Sequence, residues 1–317
     1  MKTTIKALLL ILTVTFFACQ KNEDFNALTD LTDVQLKSAT LAVNDVAVEA
    51  VAEEANYETY FYSEYQHLLR GLAHMKGNNR DLFAGRGNMH YMNGQAPVVS
   101  IDTAEGGYPI VITIDYGTST ETEHGRVIAG KVEIEISGPK NTDGTTRTIN
   151  YIDCLIDTVA INGTSVETFN GDNTTTRKST IASTVTFTLP DGTVINREGT
   201  NVRNWLAGVD TPLDRSDDRI EITGIMTVTS PAGVYVREIT TPLIRLGDCR
   251  HAVSGIIDFS KDGTSIATLD FGDGECDNLA ELTTDGATVE IVLKDKGMPK
   301  AKTEGHHKGA GMKKGKH

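Results

Sequence analysis

The chain predicts an all-β protein, an antiparallel meander or β-sandwich of about a dozen strands, preceded by one N-terminal helix. Three observations carry this. Hydrophobicity alternates with period two: Val132, Ile134 and Ile136 interleave with Lys131, Glu133 and Glu135, and Val185, Phe187 and Leu189 alternate with threonines. Ala287, Val289, Ile291 and Leu293 repeat the pattern near the end. Strands patterned this way bury one face and wet the other, as in antiparallel sheets. Turn signals recur at short range in Asp143-Gly144-Thr145, Asp191-Gly192-Thr193, Ala232-Gly233-Val234, Asp262-Gly263-Thr264 and Asp285-Gly286-Ala287. Asp-Gly favours the two-residue turns of hairpins, because both central positions need φ > 0. The composition agrees: 30 glycines, 8 prolines and 6% aromatic residues suit strands joined by tight turns.

The elements follow in chain order. Residues 1–18 read as a lipoprotein signal peptide. Lys2 and Lys6 give a positive start, and Ala7 to Phe17 form an apolar run broken by Thr13 and Thr15. A spanning helix needs about 20 apolar residues, and this run has the length and flanks of a secretory segment. It ends Phe16-Phe17-Ala18-Cys19, which resembles a lipobox, with a lipid expected on the Cys19 thiol and cleavage before it. The next residues, Gln20-Lys21-Asn22-Glu23-Asp24, resemble the short acidic export signal of Bacteroidetes surface lipoproteins. Residues 19–40 are expected to be a flexible, lipid-anchored linker.

Residues 41–97 read as helix and loop. Tyr57, Phe61, Tyr65, Leu68 and Leu72 recur at spacings of three and four and predict a helix over 41–76. Residues 98–293 are the antiparallel β-domain. An internal echo, Ile112-Thr113-Ile114-Asp115-Tyr116-Gly117 against Ala267-Thr268-Leu269-Asp270-Phe271-Gly272, suggests two related sheet units. Residues 294–317 are expected to be a disordered basic tail of Lys, His and Gly.

The net charge of −13 is unevenly spread over 30 basic and 43 acidic side chains. Ten lysines and two acids lie in the leader and tail, leaving 20 basic and 41 acidic groups in residues 19–293. An acidic body repels phosphates and argues against a nucleic-acid partner.

Of four cysteines, Cys19 goes to lipid. Cys249 and Cys276 both sit beside turn residues and are expected to pair in an oxidising compartment. Cys154, in a strand-like run, reads as a buried inert thiol.

Candidate sites are few. Asp270, Asp273, Glu275 and Asp277 surround a Gly-rich turn and could supply oxygens to calcium. Their spacing fits no EF-hand, and the competing reading is a hairpin turn steadied by the adjacent disulfide. No other cofactor is suggested. His306, His307 and His317 could capture a metal weakly. Asp102-Thr103-Ala104 and Asp157-Thr158-Val159 resemble the Bacteroidetes O-glycosylation motif, with Thr103 and Thr158 as acceptors. No Gly-x-Ser-x-Gly, His-Glu-x-x-His or phosphate loop occurs, so no catalytic residue is assigned.

Residues 108–293 resemble a family of uncharacterised Bacteroidetes surface lipoproteins with an all-β body. The resemblance rests on Tyr108-Pro109, Ile114-Asp115-Tyr116-Gly117, Gly125-Arg126 with Gly130-Lys131, and Asn204-Trp205-Leu206-Ala207-Gly208 leading to Asp210-Thr211-Pro212. It continues through Thr240-Thr241-Pro242-Leu243, Cys249-Arg250, Ser254-Gly255 and Asp270-Phe271-Gly272-Asp273-Gly274 to Cys276-Asp277-Asn278. Relatives often carry a further cysteine before the Gly-Arg pair, where this chain has Glu121-Thr122-Glu123-His124. The resemblance implies location and fold and carries no activity.

Together these readings give a lipoprotein anchored to the bacterial outer membrane, expected at the cell surface, whose β-body is a non-enzymatic binding, adhesive or structural module. Its partners are the membrane, through the lipid, and a surface glycan or protein. The alternatives are an accessory glycan-binding protein of an outer-membrane uptake system and a hydrolase.

Overall fold

The computed structural model describes residues 31–64 and 96–293, apart from 123–124, 140–141, 172–175, 212–213 and 215. Cys19, the leader and the basic tail with His306, His307 and His317 lie outside the described residues.

Helix α1 spans Asp33–Glu64. Its start is set by a capping box: the Thr32 hydroxyl accepts from the Gln35 N–H at 3.4 Å, and Gln35 Oε1 accepts from the Thr32 N–H at 2.9 Å. The helix therefore begins eight residues earlier than the apolar spacing predicts, inside the stretch expected to be a flexible linker. Of the stripe that predicted it, Tyr57 and Phe61 are half-buried, and Tyr65, Leu68 and Leu72 lie outside the described residues. The buried positions run through Ala39, Ala42, Asp45, Val48, Val51, Glu54, Ala55, Glu58, Thr59 and Tyr62. At about 100° per residue, the buried set leaves no arc wider than about 60° uncovered. A helix buried on every side has something wrapped around it.

What wraps it is a single antiparallel meander in the order β1 to β13, as the alternation predicts; of the two architectures expected, the sandwich is not formed. The strands are β1 Val98–Thr103, β2 Ile110–Glu121, β3 Val127–Ile136, β4 Thr146–Ile156, β5 Val159–Asn170, β6 Lys178–Thr188 and β7 Val194–Ala207. They continue with β8 Arg219–Ser230, β9 Gly233–Leu246, β10 Ala252–Lys261, β11 Thr264–Asp273, β12 Leu279–Thr284 and β13 Ala287–Val292. The backbone of α1 comes close to β3 and β4 on one flank and to β11 and β12 on the other. Strands near both ends of the sheet thus meet the same helix, so the sheet is rolled about it, with β1 and β13 as its edges.

The turns form where the Asp-Gly pairs place them. Lys261 pairs with Thr264 across Asp262 (φ 51°) and Gly263 (φ 76°), and Thr284 pairs with Ala287 across Asp285 (φ 45°) and Gly286 (φ 78°). Both are two-residue loops with two positive φ values, the geometry that matches strand twist.

The internal echo marks a shared local device within one continuous sheet. In β2, Asp115 Oδ1 accepts from the Gly117 N–H at 2.9 Å; in β11, Asp270 Oδ1 accepts from the Gly272 N–H at the same distance. The register shifts at both places, and both glycines have positive φ. Each is a β-bulge that bends the sheet while Tyr116 or Phe271 turns inward.

Rolling also needs close strand approach. Ile149, Ser165, Ser183, Gly199 and Met226 are successive register partners across β4 to β8. A Cβ on Gly199 would lie 2.3 Å from the Ile225 carbonyl oxygen and 2.6 Å from Met226 Cα. This position admits no side chain.

Candidate functional site

The inner face of the rolled sheet is not purely apolar. Along β7, Ile195, Arg197, Asn201 and Arg203 are buried, while Asn196 and Glu198 face outward. Along β9, Arg237 lies between Tyr235 and Ile239 on the buried side. These arginines occupy positions that the period-two pattern reserves for core residues.

Their partners come from α1. Asp45, Glu49 and Glu53 are spaced four residues apart and share one helical stripe. Arg197 bonds to Asp45 and, at 2.9 Å, to Glu49. Arg237 Nε donates to Asp45 Oδ2 at 2.8 Å and its Nη2 lies 3.5 Å from Glu49. One turn further on, Arg203 bonds to Glu53, with Arg245 Nε 3.9 Å away. The strands β7 and β9 run in the same direction as each other and as the helix, so each delivers its two arginines in register with the stripe.

Other arginines complete the lining. Arg126 lies 3.9 Å from Glu54 and 2.5 Å from Asp157. Arg147 bonds to Glu167 at 2.5 Å and to Asn56 at 3.0 Å. The Arg177 guanidinium sits 4.5 Å from the Tyr60 ring and 4.0 Å from the Trp205 ring, in cation–π range of both. The single tryptophan is therefore engaged within the fold.

These interactions set the local electrostatics. Burial pushes the Glu49 carboxyl up, but Arg237 and Arg197 more than reverse that and bring it down to about 2. Arg197 is moved the other way: burial lowers it, and Asp45 and Glu49 raise it above its ordinary value. Burial, reinforced by Glu58, holds the Tyr116 phenol well above its usual range, and its hydroxyl donates to Glu58 at 3.1 Å.

Where α1 stands away from the sheet, a cavity remains between it and β4 to β8. Its volume is about 70 Å³. The helix contributes Ala52, Ala55 and Asn56, and the sheet contributes Ser165 and Ser183, whose hydroxyls are 2.9 Å apart. Phe187 and Met226 form part of an apolar wall, and Asn201, Arg197 and Arg203 the polar side. A smaller space of about 20 Å³, room for a water, lies between α1 and the strands carrying Arg237 and Arg245.

The residues singled out from sequence fall elsewhere. Cys249 and Cys276 form the expected disulfide, with Cα atoms 5.6 Å apart. Cys154 is a free, buried cysteine, and burial, followed by Glu58, pushes its thiol up to about 12. Asp270, Asp273, Glu275 and Asp277 do not converge: among the described residues no group of three or more His, Cys, Asp or Glu side chains could hold a metal ion. The reason is local. Asp270 accepts from the Gly272 N–H and Asp277 Oδ1 from the Leu279 N–H at 3.0 Å, so both serve their own turns. This corrects the calcium expectation. Thr103 is half-buried at the end of β1, and Thr158 is exposed in the β4–β5 turn. Beside it, Asp157 binds Arg126 and accepts from the Val127 N–H at 3.0 Å.

Sequence reasoning missed the arginine–carboxylate interior and the cavity. A signal existed: arginines at inward positions of otherwise apolar alternation, opposite acids at i, i+4 and i+8 on α1. Among the described residues, no helix is long and apolar enough to cross a membrane. No family model matches this chain, and neither a curated protein nor a solved structure matches it.

Proposed function

We propose that this protein is a lipid-anchored lipoprotein of a bacterial outer membrane, displayed at the surface, whose rolled β-body is a binding or structural module without catalysis of its own. The observation that carries the non-catalytic reading is the state of the buried carboxylates. A general acid needs a raised pKa, set by an apolar pocket or a like charge. Asp45, Glu49 and Glu53 meet arginines instead, and Glu49, which lines the cavity, is brought down to about 2. A carboxyl held that low stays ionised near neutral pH and cannot act as a general acid.

The anchoring reading rests on Phe16-Phe17-Ala18-Cys19, the acidic residues after it and the Bacteroidetes resemblance. The position of α1 supports it. The helix clamped at the centre of the fold is the first element among the described residues, so a pull on the lipid would load the most deeply held part of the body. Cys19 and Asp33 stand fourteen positions apart in the chain. Fully extended, that stretch reaches at most about 50 Å, which keeps the body close to the membrane.

Mass spectrometry of the mature N-terminus, with protease treatment of intact cells, tests this reading. A diacylated or triacylated Cys19 and digestion without lysis are expected. An unmodified cysteine or cleavage elsewhere would overturn the anchor, and protection until lysis would overturn surface display.

A further inference from the structure

The cavity between α1 and the middle of the sheet is assembled from small residues on both sides. On the sheet, Ser165 and Ser183 are paired in register, and Gly199 follows in the same row. On the helix, Ala52 and Ala55 face them. Larger side chains at any of these places would fill the gap, as Ile149 and Met226 do at the two ends of that row.

The polar atoms around the space are incompletely used. Asn201 is 8% exposed, lines the cavity, and its Oδ1 has no protein partner. Arg197 and Arg203 also line it, and the Nε–H of each is unpartnered although their terminal nitrogens are engaged with carboxylates. The two serine hydroxyls can satisfy only one donor between them. Buried polar groups left in this state are costly and are normally met by water or a ligand.

The lining charges cancel: Arg197 and Arg203 stand against Glu49 and Glu53. A charged ligand would therefore enter without an uncompensated counter-charge. Among the remaining lining residues, Ile161, Ile181, Val185, Phe187 and Met226 are apolar. A cavity of about 70 Å³ is well above the size that admits a single water, so it has room for more than one water or for a small molecule. The matching chemistry is a small neutral molecule with several hydroxyls, each able to donate to Asn201 and accept from an Arg Nε–H, and with C–H faces for the apolar wall.

We propose that this cavity is a binding site for a small neutral polyol, in the size range from glycerol to a pentose. The proposal rests on the binding-module part of the functional reading and is independent of the anchor.

Saturation-transfer NMR on the full chain, purified in a detergent without sugar headgroups, tests it with glycerol, xylose and gluconate as probes. Saturable binding of glycerol and xylose is expected, with gluconate weaker than xylose. Ser183→Leu, which fills the cavity from the sheet side, is expected to weaken binding at least about tenfold. Ser165→Val serves as the second filling variant if Ser183→Leu does not fold. No saturable binding of either neutral probe, or binding unchanged in a folded filling variant, means that the cavity holds water only and overturns the proposal. Gluconate binding more tightly than xylose overturns the neutral-ligand assignment. Because the measurement uses purified protein, its failure leaves surface display to be judged by the protease experiment, and failure of surface display does not alter the binding result.

Discussion

Arg237, with a fully buried side chain, donates from Nε to Asp45 Oδ2 at 2.8 Å, and the Asp45 side chain is only 1% exposed. The same carboxylate binds Arg197 from β7, two strands away from β9. One helical acid thus joins two arginines that lie 40 residues apart in the chain, at the centre of the rolled sheet.

Removing that acid leaves two cations without their main partner. Breaking one buried pair costs about 3–5 kcal/mol, far more than an intact pair contributes over an apolar replacement. Asp45→Ala is expected to reach at least that range and to lower Tm by about 10 °C or more in thermal unfolding. Lys131→Ala is the control. Its pair with Asp115, at 3.7 Å, has both side chains nearly half exposed, and the change is expected to cost under about 1 kcal/mol. Equal losses in the two variants would contradict the central role of Asp45.

Glu49 gives the fold a pH dependence. Its folded pKa of about 2 lies below the ordinary 4.5, so the folded state holds the ionised form more strongly than the unfolded chain does. The resulting stabilisation, about 3 kcal/mol, is fully present above roughly pH 5 and fades as pH falls toward 2. In urea titrations, the stability difference between the wild type and Glu49→Gln is expected to shrink across that window. A difference that stays constant from pH 7 to 2.5 would refute the assignment.

The cysteines should separate chemically. The disulfide closes a sequence separation of 27, for which chain entropy gives about 3.5 kcal/mol. The double variant Cys249→Ala with Cys276→Ala should lose stability on that scale. Cys154, with its thiol pushed up to about 12 by burial, should resist alkylation in the native protein at pH 8 and react once denatured. Rapid native labelling would show that the thiol is open to solvent.

Gly199→Ala tests the rolling of the sheet. A Cβ there would sit 2.3 Å from a backbone oxygen that cannot rotate away. A loss of about 2 kcal/mol or more is expected from forced strand separation, measured by thermal unfolding. A neutral result would mean that β7 and β8 can move apart at no cost.

Local chemistry made much of this fold legible. Asp262-Gly263 and Asp285-Gly286 form the turns their φ preferences demand, and Val132, Ile134 and Ile136 face inward as their alternation requires. The helix start at Thr32 was equally available in its Thr-x-x-Gln capping box, but the apolar spacing around Tyr57 and Phe61 pointed further along the chain. The interior site was far less legible. An isolated buried arginine is prohibitively costly, so the alternation around Arg197, Arg203 and Arg237 does not by itself mark them as interior. Only their juxtaposition with Asp45, Glu49 and Glu53 removes that cost, and those acids lie about 150 to 190 residues away in sequence.

The sequence by itself determined the alternating strands, their turns and the pairing of Cys249 with Cys276, because each depends on backbone preferences or on the few cysteines present. Only the tertiary structure decided that the sheet rolls around α1, that arginines clamp an acidic stripe, and that a cavity is left between them. These depend on how far apart two surfaces come to rest. Where the helix lies close, apolar side chains fill the gap. Where it stands off, long arginines bridge it, and small residues such as Ser165, Ser183 and Ala52 leave space.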